Sequence, residues 1–171
     1  STATTLCSGD SFSIMATNSY ASGTIYTWTG PSGAVIANSS QSTTLSFSNV
    51  STTDGGVYSL VATSPSGSCS SNSSSITIVV NPTPSKPTIS SRSSQLCSGN
   101  SVSITVESSI PAGATYAGCG PGGIIPNSSN SPTITFSNAA TSLSGTYSVK
   151  IVSGNCTSSA AATTVLVYGT P

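Results

Sequence analysis

Residues 6–14 read LCSGDSFSI, and residues 96–104 read LCSGNSVSI. This recurrence constrains the fold more than any average over the chain. It implies that the 171 residues hold two copies of one unit, each of about 85 residues and able to bury its own core. The correspondence continues along both halves. Tyr26 matches Tyr116, Phe47 matches Phe136, Tyr58 matches Tyr147, and Cys69 matches Cys156. The offset shrinks where SPSGSC in the first half shortens to SGNC in the second, a change that loops tolerate and strand interiors do not.

Between the copies, residues 81–89 read NPTPSKPTI. Prolines at 82, 84 and 87 favour extended backbone, which makes a short, semi-rigid spacer. The expected domains are residues 1–83 and 84–171.

Apolar residues alternate within short runs. Phe12, Ile14 and Ala16 share a face, as do Tyr26 and Trp28, Leu45 and Phe47, then Tyr58, Leu60 and Ala62, and finally Ile76, Ile78 and Val80. The second copy repeats this with Val102, Ile104 and Val106, with Ile134 and Phe136, with Tyr147, Val149 and Ile151, and with Val165 and Val167. Period-two runs separated by Gly, Pro, Asn and Ser predict an all-β chain of two β-sandwiches.

Only three basic and three acidic residues occur, with no histidine, while Ser and Thr make up about two residues in five. A neutral chain lacks the clustered basic face that nucleic acid or an anionic membrane requires, and no apolar run reaches the length of a membrane span. Without histidine a Ser-His-Asp or Cys-His site is impossible. The three carboxylates are far apart, and Lys150 lies on the outward phase of its strand, so neither a Ser-Lys site nor a Lys–Asn crosslink is expected. The reading is no enzyme, no cofactor and no metal. The start at Ser1, with neither initiator Met nor signal pattern, marks a mature chain or an excised piece.

The stretch DGGVYSL, residues 54–60, resembles the Asp-x-Gly-x-Tyr corner of immunoglobulin-like domains, with Trp28 where such domains place a core tryptophan. Copy two keeps Tyr147 but carries Leu143 for the Asp and Gly118 for the Trp, so it is expected to be the less stable copy. Taken in order, LCSGD, YTWTG, GGVYSL, SGSCSS and NPTP resemble the immunoglobulin-like repeats of secreted and cell-surface adhesins of Bacteroidetes-type bacteria. That resemblance implies extracellular arrays without catalytic residues.

The usual inter-sheet cysteine positions are aliphatic here, near Ile14 and Leu60. Cys7 with Cys69, and Cys97 with Cys156, are expected instead to form disulfides. Each would close a loop of about sixty residues and stabilise its unit by roughly 4 kcal/mol on the chain-entropy model. Disulfides also imply an oxidising, extracytoplasmic location. Cys119 is the odd cysteine, either an intermolecular thiol or a small side chain packed under a loop.

Copy one has no counterpart of SKPTIS, residues 85–90, the expected first strand of copy two. Either these residues were cut from a longer array, or the first unit leaves an edge unpaired, which would invite a strand from another chain. Expected partners are therefore neighbouring copies in a head-to-tail array or fibre, with surface glycans as a further class. The leading function is a structural and adhesive stalk or filament module. The alternative is a carbohydrate-binding accessory module of a secreted enzyme. Most of the nine Tyr and Phe fall on core phases, leaving Tyr20, Tyr168 and Tyr116 as candidate sugar contacts.

Overall fold

A computed structural model describes residues 4–18, 20–36, 42–92, 94–125 and 131–170. The chain divides into two compact units, Ser1–Pro82 and Thr83–Pro171.

In the first unit, β1 (Thr4–Cys7) runs parallel to β6 (Ser74–Asn81), placing Cys7 opposite Asn81. The β6 strand pairs antiparallel with β5 (Gly56–Thr63), and β5 pairs with β3 (Ile25–Thr29). These four form one sheet, and β2 (Phe12–Met15) with β4 (Thr44–Phe47) forms the second. The alternation read from sequence sets the burial. Ile14, Tyr26, Trp28, Tyr58, Ala62, Ile78 and Val80 form one buried cluster, with Phe12, Leu45, Phe47 and Leu60 packed against it. The Phe12 and Phe47 rings stack at 4.7 Å, and Tyr58 meets both edge-on. The indole Nε1 of Trp28 donates to the Ser42 carbonyl at 3.0 Å, so the largest core side chain buries its polar group without penalty.

The second unit repeats this order with additions. Its first strand is β7 (Ile89–Arg92), followed by β8 (Gln95–Cys97), β9 (Val102–Val106) and β10 (Thr115–Gly120). Next come β11 (Gly123–Ile124), β12 (Thr133–Phe136), β13 (Gly145–Ser153), β14 (Cys156–Thr157) and β15 (Ala161–Tyr168). One sheet is ordered β11-β10-β13-β15-β8, with β14 on β13, and the other is β12-β9-β7. Bridges from Thr29 to Val35 and from Thr63 to Ser70 occupy the places of β11 and β14 in the first unit. Only β7 has no counterpart there among the described residues.

The sequence placed this strand at residues 85–90, but pairing begins at Ile89. Pro84 and Pro87 have no N–H for a ladder, which delays it. Gly118 has a core consequence too. With no side chain where the first unit has Trp28, the buried residues of the second unit form two groups. One surrounds Tyr147, Val102 and Val165, and the other surrounds Tyr116, Val149 and Ile151.

Candidate functional site

The recurring LCSG stretch builds a docking turn. In the first copy the Asp10 amide donates to the Cys7 carbonyl at 3.0 Å, and the Ser8 amide donates to Asn81 of the last strand at 2.8 Å. The Gly9 amide donates to the Val50 carbonyl at 2.7 Å. Gly9 holds φ +97°, a conformation that glycine adopts without steric cost. In the second copy Asn100, Ser98 and Gly99 make the matching bonds to Cys97, Tyr168 and Ala139, and Gly99 has φ +89°. The cysteine is thereby held at the far end of the last strand of each unit.

That position overturns the expected disulfide pairs. Cys69 lies in the hairpin joining β5 to β6, its carbonyl accepting from the Ser64 amide. Cys7 lies beside Asn81 at the other end of β6. Seven strand steps separate the two levels, about 23 Å, whereas a disulfide needs Cα atoms within about 7 Å. The second unit repeats the separation. Cys97 is opposite Tyr168, and Cys156 is opposite Ser153 at the hairpin end. Cys69 and Cys97 accordingly carry free, exposed thiols, and neither within-unit staple forms. Cys7 and Cys156 are in disulfide linkage, and Cys156 is fully buried. Cys119, on β10 opposite Ser148, is a third free and exposed thiol and is not packed under a loop.

The Tyr58 hydroxyl donates to the Asp54 carbonyl at 2.8 Å, and that of Tyr147 donates to the Leu143 carbonyl at 2.7 Å. Burial raises both phenol pKa values, and the charge of Asp54 adds to the effect at Tyr58. The carboxylate of Asp54 accepts from the Ser51 amide at 2.7 Å and the Ser51 hydroxyl at 2.9 Å, and these bonds hold its pKa below the usual aspartate value. The other two carboxylates also serve local structure. Asp10 accepts from the Cys7 amide at 2.8 Å, and Glu107 accepts from the Ser90 hydroxyl at 2.7 Å. Among the described residues, no three of Cys, Asp and Glu gather as metal ligands. No helix there is long and apolar enough to cross a membrane.

Of the three tyrosines proposed for sugar contact, Tyr116 is in the core, since its phase on β10 points inward opposite Ile151. Tyr20 and Tyr168 are exposed. Tyr20 borders the feature that sequence reading missed, a cavity of 280 Å³ between β2 and β6. Ile14 and Ala16 line one wall, Ser74 and Ile76 line the other, and Trp28 and Ala62 contribute to its floor. Strand alternation marks Ile14, Ala16 and Ile76 as inward residues and carries no signal that β2 and β6 would face each other across a gap.

No family profile and no curated protein matches the chain. Solved structures do. The I-band fragment I67-I69 from titin is 14% identical with a TM-score of 0.53, matching 99% of this chain and 62% of that one, less than two thirds of its length. Murine CEACAM1b is 13% identical with a TM-score of 0.53 over 97% of this chain and 96% of its own. The ectodomain of mouse nectin-like molecule 4 is 13% identical with a TM-score of 0.54 over 99% and 67%. Both units are immunoglobulin-like sandwiches. The fold supports many functions and fixes none of them.

Proposed function

We propose that this chain is a non-enzymatic structural and adhesive module of an extracellular bacterial surface array, built by head-to-tail repetition of immunoglobulin-like sandwiches. The observation that carries the reading is the local use of every carboxylate. Asp10, Asp54 and Glu107 each hold a turn or a neighbouring strand of their own unit, within two copies of one sandwich. Such a design stabilises a scaffold and assembles no reacting groups. A disulfide is usual outside the cytoplasm, and a nearly uncharged, hydroxyl-rich chain exerts little attraction on other surfaces.

Cys69 and Cys97 supply a means of joining copies. Each is exposed and free, one at the hairpin end of its sheet and the other at the opposite end of its own. A bond from Cys97 of one copy to Cys69 of the next gives a head-to-tail chain. On a non-reducing gel the oxidised protein is expected to run as a ladder of multiples that collapses with reductant. In a chain that also carries Cys119→Ser, either Cys69→Ser or Cys97→Ser stops the ladder at the dimer. An unchanged monomer band under oxidation, together with native material that shows no fibre by electron microscopy, removes the array reading.

A carbohydrate-binding module is the alternative, favoured by exposed Tyr20, which meets Tyr26 edge-on at 6.2 Å beside the cavity. Binding on a glycan array that disappears in Tyr20→Ala would establish it.

A further inference from the structure

We propose that Cys119 and Lys150 form a peroxide-responsive covalent lock, in which oxidised Cys119 closes on the Lys150 amine as a sulfenamide and ties β10 to β13. The strand register brings the two residues together. Cys119 is opposite Ser148, and Ala117 is opposite Lys150, so Cys119 and Lys150 are diagonal neighbours on one face of the sheet. Cys119, Ala117 and Lys150 are all exposed there. Diagonal neighbours stand about 7–8 Å apart, within reach of a long side chain, and Ala117 adds only a methyl group beside that path. The pair belongs to the second copy alone. In the same register the first unit sets Thr29 opposite Ser59 and Val61 opposite Thr27, and the Thr29 and Ser59 hydroxyls hydrogen-bond each other. Thiol and amine are present together in one copy and absent together from the other.

An exposed thiol is open to oxidation. Hydrogen peroxide takes the Cys119 thiol to a sulfenic acid and is itself reduced to water. A sulfenic acid ordinarily condenses with a second thiol, or with a nitrogen to give a sulfenamide. The second unit offers Cys119 no second thiol. Cys97 lies three strands away in the sheet order, about 14 Å across the sheet, and Cys156 is in disulfide linkage. The Lys150 nitrogen resolves the sulfenic acid instead. Its lone pair attacks the sulfur, the S–N bond forms as the S–O bond breaks, and the departing hydroxide takes an amine proton to leave as water. One thiol, one amine and one peroxide thus give one sulfenamide and two waters. An added thiol cleaves the S–N bond, freeing the amine and leaving a mixed disulfide, and a second thiol restores Cys119. The tie acts on a strand that needs it: Gly118 and Gly120 flank Cys119 on β10, and glycine weakens a strand interior. This inference goes beyond the array reading, which uses Cys69 and Cys97 and stands whether or not the lock forms.

The test uses the full chain carrying Cys69→Ser and Cys97→Ser, which keeps Cys119 as its free thiol. After exposure to hydrogen peroxide, its mass is expected to fall by two hydrogens. In the denatured digest, tryptic cleavage after Lys150 should be lost, because the protease needs the free amine, and should return with reductant. Cleavage after Arg92 is the internal standard. Adding Lys150→Arg keeps the charge and removes the amine. In that chain Cys119 should persist as a sulfenic acid that dimedone traps, and pass on to the sulfinic acid. Three results would overturn the proposal: unchanged cleavage after Lys150 once Cys119 is oxidised, sulfinic acid formed at the same rate with lysine and with arginine at position 150, or Cys119–Cys119 dimers as the main product.

Discussion

The ring of Pro31 stands where a side chain on Gly56 would begin: a Cβ built on that glycine lies 2.6 Å from the Pro31 Cβ. The second unit repeats the relationship, with a Cβ on Gly145 lying 2.5 Å from the Pro121 Cγ. Both glycines have positive φ, +142° and +151°, so steric contact and backbone conformation exclude a side chain together. The Gly of each Gly-x-Tyr stretch is therefore a packing requirement of the corner. Gly56→Ala and Gly145→Ala are each expected to destabilise their own unit by about 2–4 kcal/mol, measured by denaturant unfolding. A loss below about 0.5 kcal/mol would show that the proline moves aside easily.

The two corner bonds can be compared directly, because Tyr58 and Tyr147 donate over 2.8 and 2.7 Å to equivalent carbonyls. Removing the hydroxyl alone leaves the ring packed and one carbonyl without its partner. Tyr58→Phe and Tyr147→Phe should each cost about 1 kcal/mol, with no change in fold by circular dichroism. Equal stability of the wild type and both variants would mean that water replaces the hydroxyl at no cost.

Acid should act on the first unit more than on the second. The folded-state pKa of Asp54 lies below its ordinary value of 3.8 because of the Ser51 amide and hydroxyl. A carboxylate with a depressed folded pKa binds fewer protons folded than unfolded, so its stabilisation is full above the ordinary value. It is lost as pH falls through the folded value. Leu143 occupies this place in the second unit and brings no such dependence. Asp54→Asn should flatten the acid limb of the first unit's unfolding profile below about pH 4. Alkali works in the other sense. Buried Tyr58 and Tyr147 have raised pKa values, so both corners lose stability as pH climbs above the ordinary tyrosine value.

Much of this fold is legible in the residues, for a physical reason. Alternation in a half-buried strand is a local property, so the inward phases of Ile14, Trp28, Tyr58, Val102 and Ile151 follow from their neighbours in sequence. The corner is equally local, since Tyr58 reaches a carbonyl four residues back. Pairing of cysteines is different. Two loops flanking one long strand look adjacent on paper and lie a full strand length apart in space. Only the parallel register of β1 on β6, which sets Cys7 beside Asn81, decides the matter, and no short-range signal encodes a parallel register. Tyr116 shows a smaller version of the same limit. GlyCysGly beside it obscures the alternation, and its inward side is fixed by pairing with β13.

Thiol chemistry follows from that register. Exposed Cys69, Cys97 and Cys119 are free, whereas Cys7 and Cys156 are oxidised. Alkylation without reductant, on freshly isolated chain before oxidative assembly, should modify the first three and leave the other two unmodified until the protein is reduced. Peptide mass mapping checks this site by site. Reduction should also lower the unfolding temperature, since the native disulfide restricts the unfolded chain. A peptide joining Cys7 to Cys69 in the non-reduced digest would contradict the strand register itself, because it requires the two ends of β6 to meet. Recovery of Cys7 as a free thiol would leave the register intact and withdraw only the disulfide.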